Sequence, residues 1–302
     1  MISFLQALLP IFAVIVAGQL FYRYNFPGKA FWPFADRLTY YVLLPALLTG
    51  KVAAADFSGS AVLPMAGILA VATLLISLLL VMLQPVISIR PAQFTSVFQG
   101  SIRPNTYVGL AAAGALFQAQ GQALVAIAVA GVVPLVNVLS VWAFTRYLPR
   151  AGSGKRNLLA TFFTNPLIIA CLLGLLLNQT GMPPFGAEIL DIFSRGALPL
   201  GLLSVGAGLN VKALEGSLFK TGLSAALKLL MLPALTALFF TYFEIGGTVR
   251  TVGILYAAVP GAISSYILSR QLGGDSELMA GIITFETFFA LLSMPLVLWF
   301  FS

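Results

Sequence analysis

The chain has 302 residues, 60% of them hydrophobic and 8% charged, whereas roughly a quarter of the residues in a soluble domain are charged. Sixteen Lys and Arg and nine Asp and Glu are too few to coat a water-exposed surface, so the composition is that of an integral membrane protein and not of a soluble enzyme. There is no histidine, and the one cysteine, Cys171, lies in the apolar run 166–177, which excludes a disulfide framework and a thiolate metal site; the +7 net charge is scattered through short loops, as topology places it, and makes no nucleic-acid face.

A helix crosses the hydrocarbon with about 20 mostly apolar residues. The apolar runs between polar breaks predict ten spans, at 3–22, 31–49, 61–83, 92–117, 123–147, 157–178, 185–207, 217–242, 249–270 and 277–301. The first has no base ahead of it and is followed by Arg23 and Lys29, so it reads as a retained span, not a cleaved signal. The fourth and fifth are divided only by the polar stretch 118–122, since no charge occurs from Pro104 to Thr145. The connections after spans 1, 3, 5, 7 and 9 carry Arg23, Lys29, Arg90, Arg146, Arg150, Lys155, Arg156, Lys212, Lys220 and Arg270; the alternate ones carry Lys51 and Arg250. Bases collect on the cytoplasmic side, which places both termini outside the cytoplasm of a cell membrane protein.

The segment 150–156 is a short cytoplasmic linker that separates a first five-helix half, 1–149, from a second, 157–302. The halves carry a weak repeat. Pro10 and Gly18 recur 156 residues on as Pro166 and Gly174, and Pro104 recurs at the same spacing as Pro260. With a slip of two residues Pro45 matches Pro199. Because five is odd, the second half enters from the opposite side, and the expected fold is all-α with two inverted five-helix repeats, a common build of secondary transporters.

Span 4 reads Phe98-Gln-Gly-Ser-Ile-Arg-Pro-Asn-Thr-Tyr-Val-Gly109 and span 9 reads Ile254-Leu-Tyr-Ala-Ala-Val-Pro-Gly-Ala-Ile-Ser-Ser265. A proline near mid-depth removes a backbone donor and clashes with the preceding turn, and it suits the first position of a new helix. Each span is therefore expected to split into two half-helices. The N–H end of the second half favours an anion, and the carbonyl end of the first, near residues 99–101 and 257–259, offers oxygens to a cation. The candidate substrate-binding residues are Arg103, Pro104, Asn105, Thr106, Pro260, Gly261, Ser264, Ser265 and Lys228. Arg103, Lys228 and Glu286 all lie within spans, where a charge costs about 2.5–3.5 kcal/mol on insertion scales and faces protein or water. Glu286 is either a counter-ion to one of the two bases or a proton-coupling group, and Gln99 is the second coupling candidate. Asp191 and Arg195 stand one turn apart, as an internal ion pair requires.

These residues resemble the auxin efflux carrier family, which includes bacterial carriers of malonate-transporter type. The likeness runs over nearly the whole chain and is strongest in Asn165-Pro-Leu-Ile-Ile, Ala197-Leu-Pro-Leu-Gly-Leu-Leu-Ser, Pro104-Asn-Thr, Val259-Pro-Gly-Ala, Gln271-Leu-Gly-Gly-Asp-Ser-Glu277 and Met294-Pro295-Leu296. The resemblance implies an elevator-type carrier, with helices 4 and 9 crossing at mid-membrane to form the site. It implies a scaffold of helices 1, 2, 6 and 7, a transport domain of helices 3–5 and 8–10, and a homodimer. Two departures stand out: the long cytoplasmic loop of the plant exporters is replaced by the linker 150–156, and Glu286 stands where bacterial relatives more often have a small or hydroxylated residue. The expected function is secondary transport of a small organic anion or carboxylate, malonate-like or auxin-like, coupled to protons or sodium or to neither, without cofactor or metal, and with membrane lipid and the anion as partners. A sodium-coupled symporter of the bile acid type, a channel and a non-transporting membrane sensor are the alternatives.

Overall fold

The computed structural model describes residues 2–55, 61–87, 89–148, 165–183, 185–214 and 218–301. The linker 150–156 and the start of window 157–178 lie outside them. All regular structure among the described residues is helical. α1 (Ile2–Arg23) is followed by α2 (Phe31–Leu38) and α3 (Leu44–Ala53), joined through a π turn at Thr39–Leu43. Then come α4 (Val62–Leu83), α5 (Pro91–Ile102), α6 (Thr106–Tyr147), α7 (Pro166–Thr180) and α8 (Gly186–Ala207). A 3-10 turn at Val211–Leu214 precedes α9 (Leu218–Ala226), which continues through a π turn at Leu227–Met231 into α10 (Leu232–Tyr242). α11 (Gly247–Ala258), α12 (Ser264–Leu272) and α13 (Ser276–Phe301) complete the chain. Six of these helices, counting α9 to α10 as one, are long and apolar enough to cross a membrane.

Proline chemistry explains the two π turns. Pro45 and Pro233 each stand two residues beyond a π turn, and a proline in mid-helix has no N–H and presses on the carbonyl four residues back. The helix widens instead of breaking: the Leu44 N–H reaches Thr39 O, and the Leu232 N–H reaches Leu227 O, each five residues back. The expected turn at 118–122 is sharper than a polar loop. α6 folds back at a single residue, Gln118 (φ 52, ψ −139). A Cβ on Gly121 would lie 2.5 Å from the Ala113 carbonyl, whereas a straight helix separates residues eight apart by about 12 Å.

Large apolar side chains line the outer surface as well as the core. Leu63, Met82, Leu172, Ile192 and Trp299 are exposed, while Gln99, Lys228 and Glu286 are fully buried. Apolar atoms face outward because their surroundings are lipid, and polar ones face inward because only protein satisfies them there. The chain is an all-α membrane protein. α1 packs most closely along α8, and α3 along α7 and α8. α4, α6, α10, α11 and α13 pack on one another, and α5 lies against α6, α9 and α13. The α1–α8 crossing is tight because glycines face backbone from both sides, Gly18 against Leu203 and Gly206 against Ile15.

Candidate functional site

The two proline-bearing segments meet. α5 ends at Ile102, and the backbone is then extended at Arg103 (φ −86, ψ 113) and Asn105 (φ −81, ψ 102) before α6 begins. α11 ends at Ala258, Val259 is extended (φ −65, ψ 150), and α12 begins at Ser264. The two interruptions run antiparallel, Pro104 opposite Gly261. The Asn105 N–H donates to Pro260 O at 2.9 Å, and Asn105 Nδ2 reaches Gly261 O at 3.5 Å. Asn105 also caps α6, its Oδ1 accepting from the Val108 N–H at 3.2 Å. One residue thus ties one break to the other and satisfies a free donor of the helix that follows.

The chain's own side chains occupy both ends of the second break. The Gly261 N–H donates to Glu286 Oε2 at 2.8 Å, and the Ser224 hydroxyl donates to Glu286 Oε1 at 2.9 Å. Lys228, on the π turn, donates from Nζ to Ala257 O at 3.0 Å, which puts a cation on the carbonyl end of α11. Glu286 and Lys228 are not in direct ion-pair contact; among the described residues the ion pair formed is Arg195–Asp191, at 2.6 Å on an exposed face. Part of the donor fan expected to face a ligand is therefore engaged already: Gly261 by Glu286, Val108 by Asn105, and Asn105 by Pro260.

The first break is different. Arg103 is 8% exposed; among the described residues its guanidinium reaches the Ser140 hydroxyl, at 3.3 Å, while its Nε has no partner. No carboxylate neutralises it among the described residues. Tyr40, within the π turn Thr39–Leu43, lies within electrostatic reach of Arg103 and approaches Asn165, the residue that caps α7 through the Leu167 N–H at 2.9 Å. Gln99 binds α5 to α12 through a 2.7 Å bond from Nε2 to Ser265 O, yet Gln99 Oε1 and Ser265 Oγ are buried without partners. Ser264 is half-buried in the first turn of α12, and Thr106, at the start of α6, faces the Tyr256 hydroxyl.

Arg103, Pro104, Asn105, Pro260 and Gly261 thus meet at the crossing, whereas Lys228 is turned to the backbone behind it. The sequence reading missed Ser224, Ser140 and Tyr40. Serine and tyrosine are unremarkable in a membrane helix, and only the contact with a buried charge singles these out. Cys171 is buried, as expected of a small apolar side chain, its Sγ 3.6 Å from Ala126 O. Chemically the crossing offers an unneutralised guanidinium, a few amide and hydroxyl groups, and a carboxylate held by hydrogen bonds. That set can bind and release an ion.

Residues 153–298 match the family model described as membrane transport protein. An uncharacterized transporter of Methanothermobacter thermautotrophicus is 32% identical over 146 residues, 48% of this chain and 48% of that protein. An uncharacterized transporter of Methanocaldococcus jannaschii is 26% identical over 156 residues, 50% of this chain and 51% of its own length. The chain thus aligns with about half the length of these curated relatives. The matched residues 153–298 include the second break, Lys228 and Glu286, and the match is in accord with the auxin efflux carrier resemblance of the sequence.

Proposed function

We propose that the protein is a secondary active transporter that carries a small organic anion, a carboxylate, across the cell membrane. The observation that carries this reading is Arg103: a buried guanidinium beside the crossing of two interrupted helices, held among the described residues by one hydroxyl and by no carboxylate. A buried charge without a partner is costly, and a substrate carboxylate arriving at the crossing supplies one. Such a site binds by charge and by helix-end donors, as anion sites in transporters with broken helices do.

The remaining architecture is part of the same proposal. Joining α2 to α3, α5 to the first limb of α6, α9 to α10 and α11 to α12 groups the helices into ten spans in two inverted halves. The close packing of α1, α3, α7 and α8 supports a scaffold of spans 1, 2, 6 and 7. The group around α4, α6, α10, α11 and α13 is then the moving domain of an elevator. Both termini lie outside the cytoplasm, and two copies pair through the scaffold; a monomeric mass in mild detergent would speak against that pairing.

The test is flux in proteoliposomes without ATP, using a panel of labelled carboxylates. Saturable uptake with counterflow is expected. No movement of any carboxylate removes the proposal, and conductance without saturation or counterflow replaces it with a channel.

A further inference from the structure

Glu286 lies at 0% exposure with both carboxylate oxygens accepting hydrogen bonds, one from a backbone N–H at the second break and one from a hydroxyl. The N–H belongs to Gly261, the residue paired with Pro104 across the crossing. A Cβ at position 261 would stand 2.8 Å from Glu286 Oε2, so the carboxylate is seated directly against the interrupted backbone. The groups facing it are Ser224 from α9, Lys228 from the π turn and Gly261 from the break, and Lys228 is the one charged group among them. Ser101 on α5 reaches Ser224 at 3.4 Å and adds a neutral hydroxyl behind it. Lys228 donates to Ala257 O and leaves the carboxylate to the other two donors.

We infer that Glu286 is a tethered competitor for the substrate anion, so that each anion is taken up together with a proton. The inference rests on the anion-transport reading above. While Glu286 is ionised it holds the Gly261 N–H and the Ser224 hydroxyl, and a second carboxylate entering the crossing meets both an occupied donor and a like charge. A proton from the aqueous phase bonds to one Glu286 oxygen and removes that charge. The Gly261 N–H···O bond to Glu286 breaks, and the same N–H then donates to a substrate oxygen. On release the substrate carboxylate leaves, Glu286 loses its proton to the receiving side, and the carboxylate returns to Gly261. A monocarboxylate moves electroneutrally in this scheme. The tether also accounts for a buried acid in a span where an isolated charge is unfavourable: the ionised form is the resting plug of the break, and the protonated form is the binding-competent one.

The experiment uses the full chain in proteoliposomes, with labelled indole-3-acetate and malonate as probes over a pH range in which both stay ionised. In the wild type the concentration for half-saturation should rise about tenfold per pH unit on the alkaline side, as one linked proton requires. An internal pH dye should record protons entering with the probe. Glu286→Gln should keep exchange at equal concentrations, lose the pH dependence, and no longer concentrate probe against a gradient when the outside is acidified. Ser224→Ala leaves the glutamate in place and removes one donor to its ionised form, so the alkaline fall-off should move to higher pH. Wild type and Glu286→Gln with the same pH profile would overturn the inference and leave anion transport standing; so would an unshifted profile in Ser224→Ala. A wild type that moves neither these probes nor any other carboxylate at any pH overturns both readings.

Discussion

Replacing Gly206 by alanine tests the packing that fixes the α1–α8 pair. The added Cβ would run into the Ile15 carbonyl and lie 2.8 Å from Gln19 N, both of them backbone atoms in α1. Backbone inside a helix cannot rotate aside as a side-chain tip does. To restore an ordinary contact of about 3.5 Å the two helices must part by on the order of 1 Å. Overpacking of this kind costs about 1–3 kcal/mol, and each kcal/mol lowers Tm by about 2–4 °C in chains of comparable size. Gly67, within α4, is the control, because a Cβ there meets nothing within 4 Å. Gly67→Ala should therefore be neutral or stabilising by up to about 1 kcal/mol, from helix propensity alone. The measurement is thermal unfolding in one mild detergent at one scan rate, followed by intrinsic fluorescence of the three tryptophans. Gly206→Ala should melt several degrees below wild type and Gly67→Ala at or above it. Equal melting of the two variants would refute the backbone-clash reasoning.

Pro104→Ala and Pro260→Ala restore a backbone donor at each break and let the helix heal in part, so transport should fall far more than expression or Tm; normal transport in both variants would mean that the crossing is only a structural kink. Arg103→Gln removes the buried charge and should weaken binding of every carboxylate by a similar factor, because charge attraction is indifferent to the rest of the ligand, whereas a selective loss for one acid would assign Arg103 to shape recognition. Asp191→Asn breaks the Arg195 pair, whose side chains are 57% and 77% exposed, and should change stability by less than about 0.5 kcal/mol, as thermal unfolding would report.

Much of the molecule was legible in the sequence because the signals concerned are local. Composition alone placed the chain in a membrane, and apolar runs between polar breaks marked helices such as Val62–Leu83 and Ser276–Phe301 within a residue of the expected windows. Proline acts on its own turn, so Pro104 and Pro260 announced both interruptions. Where proline was absorbed instead, at Pro45 and Pro233, nothing local announced it, because a break and a π turn differ only in whether neighbouring helices hold the rest of the ladder in place. Arg195 and Asp191, one turn apart, were likewise readable as a pair.

The partners of the buried polar groups were decided by tertiary structure. Three mid-span charges allowed several pairings, with Glu286 set against either Arg103 or Lys228. In the fold Lys228 is the charged group that faces Glu286, but the hydrogen bonds go elsewhere: Glu286 meets Ser224, 62 residues away, and Gly261, 25 away, while Lys228 meets Ala257, 29 away. Gln99 finds Ser265 at a separation of 166 residues. No propensity or periodicity reaches across such distances. A buried charge takes whichever donors or acceptors the packed helices bring within about 3 Å, and that choice depends on crossing angles and close approaches such as those at Gly206 and Gly261, which are properties of the assembled bundle and of no single segment.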